Sequence, residues 1–311
     1  MMGWRATRTG LLGTWALCAA IGCGSPSQPH ASGGGDGSSG ADASPGDAAP
    51  WVLSSAPADG STDVYPFELH RTGATTLRRK RVQVTFSEPM DTTSATVPLA
   101  GPEGAPRSIP VQWSADARSL SLEIGPPDPM DGGSLPLEYA SSYALDLRAL
   151  RSSAGVPIDE EIAFTTAAQD SLLEHACGHT FDDPYAYVVA TAAPQNAPAV
   201  GLTHKRYMIQ LPEPNMGPDH AGHVSQAIPL AGATDMFEYT LFLGADVSAE
   251  IVDAASGESI AVGVRETPPV CELIQHARTA VLTEGHEYVL RFGLSGASTF
   301  DLIFERDLVV P

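Results

Sequence analysis

The sequence predicts an all-β protein, built as two sandwich-like domains behind a disordered tether. Three observations carry this. Short runs alternate apolar and polar residues with a period of two, as half-buried strands do. Clusters such as Ala58-Asp59-Gly60-Ser61, Gly101-Pro102-Glu103-Gly104 and Asp131-Gly132-Gly133 separate the runs where turns are needed. Residues 24–50 hold seven Gly, six Ser, five Ala, four Pro and three Asp, with no Lys or Arg. A stretch with no large apolar residue cannot build a core, so it reads as coil.

The amino terminus reads as an export signal. Arg5 and Arg8 precede the apolar run 11–21, a basic segment followed by a short hydrophobic one. The run is shorter than the roughly 20 residues of a membrane-spanning helix. It ends in Ala20-Ile21-Gly22-Cys23, which resembles a bacterial lipobox. The resemblance implies that residues 1–22 are a lipoprotein signal peptide and that Cys23 is lipidated, tying the chain to a membrane through acyl chains. Gly24 and Ser25 lack the retention Asp of inner-membrane lipoproteins, so the resemblance implies an exported cell-envelope protein held in the outer membrane. The alternative is ordinary signal cleavage, with Cys23 incidental. Residues 23–50 then form the tether, with an r.m.s. span of about 30 Å.

Residues 51–168 form the first predicted domain. Val82-Gln83-Val84-Thr85-Phe86, 119–124 and Tyr143-Ala144-Leu145-Asp146-Leu147 alternate cleanly, and no convincing amphipathic helix interrupts them. Four segments, Pro57–Val64, Val84–Asp91 with Phe86-Ser87-Glu88-Pro89-Met90-Asp91, Tyr143–Leu147 and Phe164-Thr165-Thr166, resemble a bacterial Ig-like domain of the type found in S-layer and other cell-surface proteins. The resemblance implies an Ig-like β-sandwich with a structural or adhesive role and no catalytic residues. Phe86 and Phe164 are expected in its core, with Met90 tucked back behind Pro89. Pro66–Thr76 and Gly125–Gly133 depart from the pattern and are expected to be loops. Arg78-Arg79-Lys80-Arg81 is the one basic run, either a patch for anionic polysaccharide or lipid headgroups or a solvated loop or charged edge.

Residues 169–311 form the second domain, a β-sandwich or jelly-roll-like fold. Its strongest strand runs are 207–211, 237–243, 287–292 and 300–305, with Gly244, Gly257, Gly285 and Gly296 between runs. Acidity concentrates here: 19 Asp+Glu face 6 Lys+Arg, against 15 and 9 in residues 51–168. A whole-chain charge of −20 and a pI near 4.6 argue against nucleic acid as a partner.

Two readings compete for the chemistry of the second domain. Without Cys18 in the signal and Cys23 on lipid, Cys177 and Cys271 remain, and two Cys of an exported domain form one disulfide most simply. The competing reading is a copper or zinc site. His175-Ala176-Cys177-Gly178-His179 puts imidazole, thiol and imidazole at i, i+2 and i+4, one face of an extended strand. His204, Cys271 and His276 are candidates to complete the set, as is the pair His220/His223. With the cysteines bonded, His175, His179, His204 and His276 remain as ligands.

Enzyme signatures are missing: the sequence has no G-x-S-x-G, no H-E-x-x-H and no P-loop. Asp182-Asp183, followed by Pro184, reads as a turn rather than a paired-carboxylate site. The expected function is non-catalytic: an envelope-anchored structural or adhesion-type module whose partners are envelope polysaccharide or a surface protein. The alternative is a metal-binding envelope protein that uses the His/Cys cluster.

Overall fold

The computed structural model describes residues 49–72, 75–102, 104–127, 134–214, 219–229 and 235–307. The expected signal peptide, Cys23 and nearly all of the tether lie outside the described residues, as does Asp128–Gly133 of the second expected loop. From Asp47 onward the chain forms one compact unit.

The first half holds β1 (Val52–Ala56), β2 (Ser61–Val64), β3 (Glu68–Thr72), β4 (Thr75–Phe86), β5 (Thr96–Ala100), β6 (Arg107–Trp113), β7 (Ser119–Ile124), β8 (Ser142–Asp146) and β9 (Glu161–Thr166). They form one sheet in the order β1-β4-β7-β6-β5-β8-β9-β2, with β3 added on β4. Its neighbours are antiparallel except β2 and β9. Alternation drives the packing: Val82, Val84 and Phe86 are buried while Arg81 and Gln83 on the opposite face are exposed. Val82, Val84 and Leu122 share a cluster with Leu145, Ile162 and Phe164, which stand strands away along the sheet, so the sheet closes on itself as a sandwich. Met90 is buried as the sequence suggests.

Two expectations for this half are corrected. Pro66–Thr76 is not a loop but contains β3 and the start of β4, a hairpin with Glu68 opposite Arg79 and Thr72 opposite Thr75. The basic run 78–81 lies inside β4, with Arg78 and Arg79 paired to β3 and Lys80 and Arg81 paired to β7. Lys80 is buried and donates to Glu68 Oε1 at 3.1 Å, Arg79 pairs with Glu123 at 2.8 Å, and Arg78 lies over the Phe67 ring. Charge partners let a basic run enter a strand.

The second half begins with a helix, α1 (Ser171–His179), followed by β10 (Ala186–Val189), β11 (Arg206–Gln210), β12 (His220–Ala227), β13 (Met236–Leu243), β14 (Ala249–Asp253), β15 (Ser259–Ile260), β16 (Gly263–Arg265), β17 (His276–Thr283), β18 (Glu287–Ser295) and β19 (Thr299–Arg306). A six-stranded sheet, β10-β11-β19-β13-β17-β16, faces a four-stranded one, β12-β18-β14-β15. Tyr207, Leu241, Leu302 and Phe304 from the first meet Val224, Ile251, Leu290 and Phe292 from the second in the larger core. This is the expected second sandwich.

The outer face of the six-stranded sheet is covered as well. Phe242 and Ile303 point away from the main core and into a third cluster, with Leu173, Ala176 and Cys177 of α1 and with Tyr65 and Phe67 of the first half. The peptide N–H of Leu69 donates to Val270 O at 2.7 Å across this seam. Tyr65 and Tyr139 both donate their hydroxyls to Glu174 Oε1 on α1. Burial first, then the adjacent Glu174 carboxylate, pushes both phenols upward, so they stay protonated donors. Phe67→Ala empties a fully buried position in the seam and is expected to lower the unfolding free energy by about 3–5 kcal/mol, read by chemical denaturation. A loss below about 1 kcal/mol would show that the seam contributes little to stability.

Candidate metal centre

Three histidines and one glutamate converge where α1 crosses the carboxyl end of β19. His175, His179, His204 and Glu305 each offer a ligand atom, and these atoms all lie within 4.8 Å of one another.

The local sequence explains each position. Asp170 caps α1 by accepting from the peptide N–H of Leu173 at 3.0 Å, and Arg265 clamps the same carboxylate at 2.7 and 2.8 Å. Leu173, Ala176 and Cys177 form the buried stripe that lays the helix on the sheet. The segment 175–179 is thus the last turn of a helix rather than an extended strand. On a helix, i and i+4 share a face while i+2 points elsewhere. His175 and His179 therefore stand together, and Cys177 turns inward, fully buried. Thr180 ends the helix, its hydroxyl donating to Cys177 O at 2.7 Å.

His204 precedes β11 with a left-handed backbone, φ 58°, and its N–H donates to Phe304 O at 3.0 Å. A non-glycine residue in that region is uncommon, and strained residues of this kind gather at functional sites. The bond to β19 holds the imidazole beside the next residue, Glu305. Along β19, Leu302 and Phe304 enter the main core while Ile303 and Glu305 share the helix-facing side.

The distances suit a small cation. His179 Nε2 lies 3.3 Å from His175 Nε2 and 3.5 Å from Glu305 Oε1, and His175 Nε2 lies 4.0 Å from the same oxygen. His204 Nδ1 touches Glu305 Oε2. Ligand atoms about 2.0–2.2 Å from a common tetrahedral ion stand roughly 3.3–3.6 Å apart. The Glu305 side chain is 0% exposed, and neither of its oxygens has a well-formed hydrogen bond. His175 and His204 are about half exposed, so the cluster is a cup, open at the rim and closed by a carboxylate at its floor.

Electrostatics match the geometry. Burial pushes the Glu305 carboxyl up to about 8. Burial, followed by repulsion from neighbouring imidazoles, pulls His179 and His204 down. The His179 and His204 imidazoles therefore favour the neutral form that binds metals. A divalent cation here reverses the carboxyl's preference by supplying the charge the site lacks.

The remaining candidates fall outside this set. Cys177 and Cys271 are joined, with S–S 2.10 Å and Cα–Cα 5.8 Å, so neither thiolate serves as a ligand. His276, at the start of β17, faces Asp246 Oδ1 at 4.0 Å and stands apart from the cluster. His220 and His223, on the other sheet, place their Nδ1 atoms 3.0 Å from Pro212 O and 3.1 Å from Thr191 O. Asp182 supports the turn reading: its carbonyl accepts from Arg206 at 2.8 Å.

Glu305 escaped the sequence reading, yet a signal for it exists. The unbroken run Leu302-Ile303-Phe304 marks a strand covered on both faces, so a carboxylate two residues beyond Ile303 has to lie inside.

No protein-family model and no curated protein matches the chain. Among solved structures it is similar to the crystal structure of CopC from Methylosinus trichosporium OB3b, with 16% identity over 40% of this chain and 98% of that chain and a TM-score of 0.28.

A pH titration of stability reads out the buried carboxyl. In chelator-treated protein the folded state keeps the Glu305 proton up to about pH 8, whereas the unfolded state releases it near 4.5. Stability is therefore lost as pH rises from about 4.5 to 8. His179 and His204 act oppositely, removing stability as pH falls below about 6.5. Glu305→Gln removes the first loss only, so its stability curve is expected to fall less steeply than wild type between about pH 5 and 8. Parallel curves would overturn the assignment.

Proposed function

We propose that the protein binds a divalent zinc or copper ion through His175, His179, His204 and Glu305. The observation that supports this most is the buried Glu305 carboxyl, without a well-formed hydrogen bond and facing three imidazole nitrogens within 4.8 Å. A cation satisfies all four groups at once, whereas without one the carboxyl, at 0% exposure, ionises only at a desolvation cost.

The donor set narrows the metal. Three imidazoles and one carboxylate suit Zn²⁺ or Cu²⁺. With the Cys177 and Cys271 thiols held in the disulfide, neither supplies the soft thiolate that favours Cu⁺. Four protein ligands fill a tetrahedral shell, which favours holding an ion over activating a water. The open rim favours exchange with solvent over a sealed structural role. In this reading the protein is a non-catalytic metal binder of the cell envelope. Cys23 carries its lipid, residues 24–50 are its tether, and the first sandwich is an Ig-like spacer that lifts the site off the membrane.

Tag-free protein stripped with a chelator and titrated with Zn²⁺ or Cu²⁺ by calorimetry is expected to take up one ion per chain. His175→Ala, His179→Ala and His204→Ala should each weaken binding by roughly 100-fold or more, since loss of even an outer-shell partner costs about 10–100-fold. His276→Ala should leave it unchanged. Absence of stoichiometric uptake, or equal affinity across the three variants and wild type, would refute the assignment.

A further inference from the structure

We propose that the Cys177–Cys271 disulfide is a redox control on the metal site: its reduction by a dithiol frees the helix that carries His175 and His179 and weakens the hold on the ion. The inference rests on the metal-binding reading above.

The first observation is position. Cys177 lies between the two histidines on α1, and the disulfide is the covalent link from their turn to the loop between β16 and β17. The helix has nine residues, fewer than the about 12 that a helix needs to persist alone. Its amino end is held by the Asp170 cap and the Arg265 clamp, and its middle by Glu174 and its two tyrosines. At the carboxyl turn, where His179 stands, the disulfide adds the covalent hold to the packing of the seam.

The second observation is access. Cys271 lines a cleft of about 310 Å³, together with His70, Arg71, Thr180 and Phe181, whereas Cys177 is fully buried. A nucleophile arriving through this cleft meets Cys271 first. Its lining is mixed in charge, with His70 and Arg71 beside Glu272, so an approaching thiolate does not meet a wall of like charge. Thr180 and Phe181, which follow His179 directly, line the same cleft, so the path of attack runs beside the turn that bears the ligand.

The chemistry balances. A thiolate of the dithiol attacks Cys271 Sγ, a mixed disulfide forms, and the S–S bond breaks with Cys177 leaving as thiolate and taking a proton. The second thiolate of the reductant then attacks the mixed disulfide and releases Cys271, which is protonated in turn. The dithiol is oxidised to a disulfide, and the protein gains two electrons and two protons as two thiols. His175 and His179 are then no longer fixed against Glu305. Because coupling is reciprocal, a bound ion must protect the disulfide by the factor that reduction costs in affinity.

Zn²⁺, which has no redox chemistry of its own, is the probe. Its affinity for the oxidised full chain is compared with that of Cys177→Ser/Cys271→Ser, with circular dichroism confirming that the variant keeps its β-fold. Affinity is expected to fall about ten-fold or more, which is about 1.4 kcal/mol of coupling. A second measurement needs no variant: in a redox buffer of a dithiol and its disulfide, with saturating free Zn²⁺, the equilibrium constant for reducing the wild-type disulfide is expected to drop by a similar factor. Equal affinity in the folded variant, or zinc that leaves that equilibrium constant unchanged or raises it, overturns the redox control while leaving metal binding intact. Failure of the oxidised chain to bind either Zn²⁺ or Cu²⁺ overturns both.

Discussion

The arrangement depends on how a helix too short to stand alone is held in place. Nine residues do not supply enough internal hydrogen bonds to offset the entropy of ordering them. Each part of α1 is therefore tied to a different piece of the protein. Asp170 is clamped by Arg265 of β16, and Glu174 accepts from Tyr65 and Tyr139 of the first sandwich. Leu173 and Ala176 pack on Phe242 and Ile303, and Cys177 is bonded to Cys271. The helix is the element on which the two sandwiches and the metal cup all bear. The seam orders it, and the ordered helix sets the spacing of His175 and His179.

Glu305 is the opposite case, a group kept in place at a cost. A carboxylate at 0% exposure loses its hydration, and burial alone accounts for the upward push on its pKa. Ile303, on the same face of β19, shows what that position calls for in a protein built only for stability. A carboxyl there, faced by three imidazoles and approached by the left-handed His204, fits the proposal that stability is given up for recognition of an ion.

Much of the fold is legible in the sequence because period-two alternation survives wherever one face is wet, as in 82–86 and 119–124. The pairing of Cys177 with Cys271 matches what is expected of two cysteines left over in a domain read from its sequence as exported. The helix escaped because it is short and because His-x-Cys-x-His reads equally well with a period of two. The Asp170 cap before Leu172-Leu173 was the available signal. Pro66–Thr76 escaped because β3 is a strand defined by its seam contacts rather than by alternation, with Phe67 buried and Leu69 partly buried against the other half. Three of the six histidines named from sequence meet in the cup. His220, His223 and His276 do not, since a count of His and Cys holds no information about which strand ends coincide in space.

The adjacency of Glu174 and His175 has a further consequence. Residues 174–179 carry, in fixed succession, a residue for the seam, a residue for the proposed ion site, a cysteine for the staple and a second residue for the proposed ion site. Each added residue rotates a helix by about 100°, so a single insertion or deletion within this run misdirects the groups on one side of it relative to those on the other. Substitution can alter one of these functions at a time, but a change of length breaks the register between them. The spacing Asp-x3-Glu-His-x-Cys-x-His should therefore be inherited as a block of constant length, while the loops on either side are free to grow or shrink. That block is a sharper mark of kinship than overall similarity between two β-sandwiches.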